Sequence, residues 1–184
     1  MDAMKTICAM KLSPLQLKHY HFTEFSVSAI TGVSPSALTS EDSPYPPNDA
    51  LSLETEVLMG SEEGTDDPHL FVIRLTITGC PKDGEVYPYK FKIHVEGVFE
   101  MKHDGDISLR NRLVVVNGTG VLFGAAREQL LLTTGRCVHG AILLPTLDFR
   151  GLARDEESPP IVQPGDTPQG RRQAPRKRTT KTIE

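Results

Sequence analysis

The chain has 184 residues, an apolar share of 38% and a formal net charge of −4, which is room for one domain with a hydrophobic core. No apolar run approaches the ~20 residues of a membrane helix, and no long apolar segment follows Lys5 before Pro14, which argues against a signal peptide and for a cytoplasmic protein. The charge is uneven: six basic residues (Arg171, Arg172, Arg176, Lys177, Arg178, Lys181) and Glu184 lie beyond residue 170, leaving 14 basic against 23 acidic residues, a net −9, before it. An acidic body argues against nucleic acid as the main partner and steers basic partners toward it.

Four segments alternate with the two-residue period of strands. The first, about Leu15 to Ala29, is LQLKHYHFTEFSVSA. Its apolar positions change parity twice, from Leu15 and Leu17 to Tyr20 and Phe22, then to Phe25 and Val27, which predicts a bulge or a sheet covered on both faces. The second, about Ala50 to Met59, sets Leu51, Leu53, Val57 and Met59 on one side and Ser52, Glu54 and Glu56 on the other. The third, Leu70 to Thr78, aligns Phe71, Ile73, Leu75 and Ile77 against Arg74 and Thr76. The fourth, Tyr87 to Met101, aligns Tyr89, Phe91, Ile93, Val95 and Phe99 against Lys90, Lys92, His94, Glu96 and Glu100.

The links EEGTDDP and CPKDGE are short and turn-forming, so antiparallel hairpins are expected. The first link, TGVSPSALTSEDSPYPPND, is long and proline-rich and is expected to be functional or to cross the sheet. After Asp106 the period changes. Asp106 or Ser108 caps a helix reaching about Arg136, which Gly118, Gly120 and Gly124 are expected to kink or interrupt. From Gly140 the chain is extended and apolar, AILLPTLDF, and Pro145 forbids a helix interior. The expected organisation is a flexible N-terminus over 1–13, one α+β domain over 14–153, and a disordered basic tail over 154–184.

No enzymatic constellation stands out. Residues 114–126, VVVNGTGVLFGAA, resemble the glycine turn that cradles a dinucleotide, but only about 30 residues remain before the tail, too few to build the parallel sheet such a turn requires. A dinucleotide-binding enzyme is thus a remote alternative. His19 and His21 share a strand face with no evident third metal ligand, and His69, His94, His103 and His139 are scattered. Cys8, Cys80 and Cys137 are odd in number, lack CxxC spacing and read as free thiols in a reducing compartment. Gly-x-Ser-x-Gly, HExxH and Walker patterns do not occur. Neither an enzyme nor a cofactor is expected.

Two stretches resemble the SecB family of protein-export chaperones. The first, LQLKHYHFTEFSVSA, is similar to the family's opening strand. The second, VLFGAAREQLLLTTGRCVHGAILLPTLDF, is similar to its helix and apolar closing segment, matching at Leu122, Phe123, Ala126, Arg127, Glu128, Arg136, Leu144, Pro145, Asp148 and Phe149. The order of four strands, long helix and closing segment agrees as well, over roughly residues 14–150. Gly124-Ala125 replaces the family's Pro-Tyr, and Cys137 stands where Gly is usual.

The resemblance implies a four-stranded antiparallel sheet packed with a long C-terminal helix. It also implies a homotetramer built as a dimer of dimers, and passive, ATP-independent holding of unfolded preproteins for export. Client-binding residues are expected at Tyr20, Phe22, Phe25 and Val27 of the first strand, Leu122 and Phe123 of the helix, and Leu144, Leu147 and Phe149 of the closing segment. In the family, acidic residues on the sheet dock the translocase motor SecA. Glu24 falls on one such position and Asp83 and Glu85 lie near another, while Ser28 replaces a usual carboxylate. The alternative is a SecB-like chaperone dedicated to an antitoxin in a toxin–antitoxin–chaperone system.

Overall fold

The computed structural model describes residues 11–34, 43–103 and 105–153. The long strand β1 (Leu15–Ala29) accommodates its parity breaks with two register shifts against β4 (Tyr89–Met101), one between Leu17 and His19 and one between Phe22 and Glu24. Each shift inserts one residue and turns the following side chains back to the same face. Leu15, Leu17, Tyr20, Phe22, Phe25 and Val27 therefore oppose Met101, Phe99, Gly97, Val95, Ile93 and Phe91 in turn, all on one face. The expected bulge is present twice.

β2 (Leu51–Ser61), β3 (Leu70–Pro81) and β4 follow as antiparallel hairpins, and the sheet order is β1-β4-β3-β2. The turns use glycines at positive φ, 80° at Gly64 and 79° at Gly84, where other residues are strained. β4 starts two residues later than its pattern suggests, after Pro88, which has no N–H to give the ladder. β1 and β2 stand at opposite edges, so the proline-rich link between them crosses the sheet, as its length implies; residues 35–42 of that link lie outside the described residues. So do the expected tail from 154 onward and all of the expected flexible N-terminus except 11–13.

The helix α1 (Ile107–Thr134) is capped by the Asp106 carboxylate, which accepts from the Ser108 N–H at 3.1 Å. It is continuous through Gly118, Gly120 and Gly124, so the expected interruption is absent. The reason is packing. Gly118 is buried where the helix crosses the sheet, and a Cβ there would lie 2.3 Å from Ile73 Cδ1. Gly97 of β4 makes room in the same way for Leu122, whose Cδ2 would lie 2.7 Å from an added Cβ. Close approach and burial override the weak helix propensity of glycine. Because residues 114–126 all lie inside the helix, no strand-to-helix glycine turn exists for a dinucleotide, and that alternative is withdrawn.

The core lies between α1 and one sheet face. It takes Phe71, Ile73, Leu75 and Ile77 from β3 and the alternate residues of β4, closed by Val114, Leu122, Ala126 and Leu130. The helix is also apolar on its far side, where Leu109, Val121 and Leu132 are exposed. At the opposite end Arg110, its side chain 3% exposed, is held by Asp67 Oδ1 at 2.6 Å, Pro68 O at 2.8 Å and Gly105 O at 3.2 Å. That guanidinium ties two loops to the first helical turn and, by donating a hydrogen bond to Asp67, keeps its carboxyl below the usual range.

Candidate functional site: an apolar groove beside strand β2

After the helix the chain doubles back, and polar contacts fix the root of this closing segment. Thr134 Oγ1 donates to Leu130 O at 2.7 Å and accepts from the Ile142 N–H at 3.0 Å. Tyr89 OH donates to Gly140 O at 3.0 Å and accepts from the His139 N–H at 3.1 Å. Burial raises the Tyr89 phenol above its ordinary pKa, and the His139 N–H partly offsets this. His139 Nε2 meets Ile30 O at 2.7 Å, linking the segment to the end of β1. Ile142 and Leu144 then enter the core.

Beyond Pro145 the segment leaves the core and runs beside β2. Between the two lies an open groove of about 620 Å³. Leu51 and Leu53 line it from β2 and Leu147 and Phe149 from the closing segment, joined by Leu152 of a short 3-10 turn (Arg150–Ala153). Asn48, Ser52, Thr55, Lys82 and Asp148 add polar groups. Phe149 is steadied by Phe123, ring centroids 5.4 Å apart, edge to face. Asp148 is bound by Arg150, with an Oδ2–Nη2 distance of 2.7 Å.

β2 is an edge strand, and its ladder fixes which backbone groups are spare. Lys82 N–H donates to Ala50 O and Glu62 N–H donates to Leu70 O, so even-numbered β2 residues bond β3. By alternation Leu53, Thr55 and Val57 turn their N–H and C=O groups to the open side.

The nine expected client-binding residues do not form one site. Leu147 and Phe149 line the groove, and Phe123 supports Phe149 from below. Leu122 and Leu144 are packed in the core at 0% and 1% exposure and do not line this groove: Leu122 fills the space left by Gly97, and Leu144 borders only a smaller neighbouring pocket. Tyr20, Phe22, Phe25 and Val27 lie on β1, at the opposite sheet edge. Three strand spacings, about 14 Å, separate the two edges. There Tyr20, Phe22 and Phe25 form an edge-to-face ladder with centroids 6.0 and 5.8 Å apart, and Tyr20 is 45% exposed. The sequence reading missed Leu51, Leu53, Lys82 and Leu152; the clean alternation of β2 already set its two leucines on one face.

The expected docking carboxylates are separated as well. Glu24 lies on the outer sheet face, 3.0 Å from Lys92 Nζ and 3.5 Å from His94 Nε2. Asp83 and Glu85 are exposed in the β3–β4 turn. The same outer face pairs Lys18 and Lys102 with Glu100, each at 3.3 Å, and Arg74 with Glu96. Lys18, by its hydrogen bond, holds the Glu100 carboxyl below its usual value. Among the described residues no cluster of three His, Cys, Asp or Glu can hold a metal, and no helix is long and apolar enough to cross a membrane.

A four-stranded antiparallel sheet of order β1-β4-β3-β2, one long helix and an extended closing segment make this the SecB-like chaperone fold. Among solved structures, the chain is similar to the SecB-like chaperone Rv1957 of Mycobacterium tuberculosis, in complex with a ChAD peptide from the Rv1956 HigA1 antitoxin. The two share 12% identity at a TM-score of 0.50, over 73% of this chain and 91% of that one. By sequence, the chain matches no family model and no curated protein.

Proposed function

We propose that this chain is an ATP-independent chaperone that holds unfolded polypeptide segments in the groove between β2 and the closing segment. The groove itself carries the reading: half-buried Leu53, Leu147 and Phe149 face a space of about 620 Å³ next to an open strand edge. Apolar client side chains buried there gain roughly 1.5–3 kcal/mol each by the nondirectional hydrophobic effect. The spare N–H and C=O groups of Leu53, Thr55 and Val57 add backbone pairing that reads no sequence. The similar Mycobacterium tuberculosis chaperone, solved with an antitoxin peptide, supports a polypeptide as the ligand.

Two client classes fit: preproteins awaiting export in the cytoplasm, and a single antitoxin. The dedicated antitoxin role is favoured by the outer face. Glu24, the position expected to dock SecA, is neutralised by Lys92 at 3.0 Å, and Ser28 lacks a carboxylate. We further propose a homo-oligomer, because the β1 aromatic ladder and the outer helix residues Leu109, Val121 and Leu132 leave two apolar faces uncovered in a single chain.

The test is suppression of aggregation of a slow-folding polypeptide without nucleotide, with wild type and a Leu147→Ser/Phe149→Ser variant. Wild type is expected to hold the client and the folded variant to lose most of that activity. A wild-type protein that fails to hold any unfolded polypeptide refutes the proposal. Pull-down of SecA in parallel separates the client classes, and tight SecA binding would favour export.

A further inference from the structure

Next to the groove lies a smaller pocket of about 260 Å³, which shares Asn48 and Pro145 with it. Its walls are the end of the crossing link, with Tyr45, Pro46 and Pro47, and the start of the closing segment, with Leu143 and Leu144. One charged side chain lines it, Arg127 of α1. That residue is half-buried, and its Nε is fully buried with no hydrogen-bond partner among the described residues. The ion pairs of the described residues use Arg74, Arg110 and Arg150 and leave Arg127 out. Among the described residues no carboxylate pairs with this partly buried cation, and an anion that joins it offsets the cost of its desolvation. The two terminal Nη groups of Arg127 are not among the sealed atoms, and the planar fork of arginine suits a carboxylate, which accepts from both Nη groups end-on.

We propose that this pocket takes the carboxylate of a single aspartate or glutamate side chain from the polypeptide held in the groove, so that the site prefers apolar segments carrying one acid. The inference rests on the polypeptide-holding reading and adds a polar, orienting anchor to it. The volume favours a side chain: about 260 Å³ admits one residue, while the chain that bears it continues along the adjoining groove through the shared Asn48 and Pro145.

The probe is a fluorescein-labelled, C-terminally amidated peptide of alternating leucine and serine. Glutamate is placed at each serine in turn, with glutamine at the same position as control. Binding to the full chain is read by anisotropy. At one register the glutamate peptide is expected to bind about tenfold or more tightly than its glutamine twin, the scale of a charge-assisted hydrogen bond. The advantage should shrink with added salt and vanish in Arg127→Met while leucine-driven binding remains. Equal affinities for the twins on wild type at every position overturn the proposal, and this comparison does not depend on any variant folding. A gain seen with a free C-terminal carboxylate but with no glutamate overturns it in favour of chain-end capture. A gain that emerges only after Glu41 and Asp42, which precede Ser43 in the chain, are changed to amides overturns it too, by giving the pocket to the chain's own acids. Failure of all peptides to bind would instead refute the holding reading, so the two failures are distinct.

Discussion

Replacing the three helix glycines by alanine, one at a time, tests how closely α1 approaches the sheet. Alanine at Gly120 or Gly124 meets nothing within 4 Å, so only helix propensity acts, and each variant should gain up to about 1 kcal/mol. At Gly118 the same gain is opposed. The new Cβ would lie 2.3 Å from Ile73 Cδ1 and 3.4 Å from the Phe99 ring. Ile73 and Phe99 are both 0% exposed, so neither can rotate into solvent to make room. Overpacking of this kind costs about 1–3 kcal/mol, leaving Gly118→Ala neutral to about 2 kcal/mol destabilised. At this chain length 1 kcal/mol moves Tm by roughly 2–4 °C. Thermal and denaturant unfolding of the three variants, with light scattering to hold the assembly state constant, reads the difference. Stabilisation of Gly118→Ala equal to that of Gly120→Ala would refute the close crossing, and with it the account of why an unfavourable residue sits in the middle of a helix.

Three further outcomes are expected. Phe149→Ser should cut affinity for an unfolded polypeptide about tenfold or more, the loss of one apolar contact of about 1.5–3 kcal/mol, whereas Phe22→Ser on the opposite edge should spare client affinity and reduce assembly mass; reversed effects would exchange the two faces. Thr134→Val leaves the Ile142 N–H without its acceptor and should cost about 1–3 kcal/mol in denaturant unfolding, and an unchanged midpoint would show the closing segment is held by other means. The Asp67 carboxyl is held below its usual range by Arg110. Its contribution to stability is therefore present above the unfolded pKa and should be lost as pH falls below about 4. Asp67→Asn should flatten that acid limb, and a pH profile superimposable on wild type would remove the pair from the acid response.

The sheet was legible because alternation is a local property. Even the irregularity of β1 could be read, since two parity breaks among Leu17, Tyr20, Phe22 and Phe25 map onto two register shifts. The glycines of α1 misled because propensity is local while the reason for Gly118 is distant: Ile73 lies on another strand. The expected groove was split for a similar reason. Strand order is a long-range fact, and β1 pairs with β4 rather than with its neighbour in sequence, which moves Tyr20 and Phe22 an entire sheet away from Phe149. Leu122 and Leu144 carry the same apolar signal as Leu147, and only packing separates core from wall. Arg127 gives no such signal, because the lack of a hydrogen-bond partner for its buried Nε among the described residues is visible only in three dimensions.

The closing segment is anchored unequally along its length. At its root, Tyr89 and Thr134 hold it by hydrogen bonds whose directions cannot shift by an ångström without breaking. At its tip, Phe149 rests edge-on against Phe123, a contact whose energy changes slowly as one ring slides over the other. On the proposed holding function, a wall fixed by directional bonds at its root and by adaptable ring packing further along would admit side chains of different girth without any change in the sheet below, which makes tolerance of sequence a mechanical property of the wall.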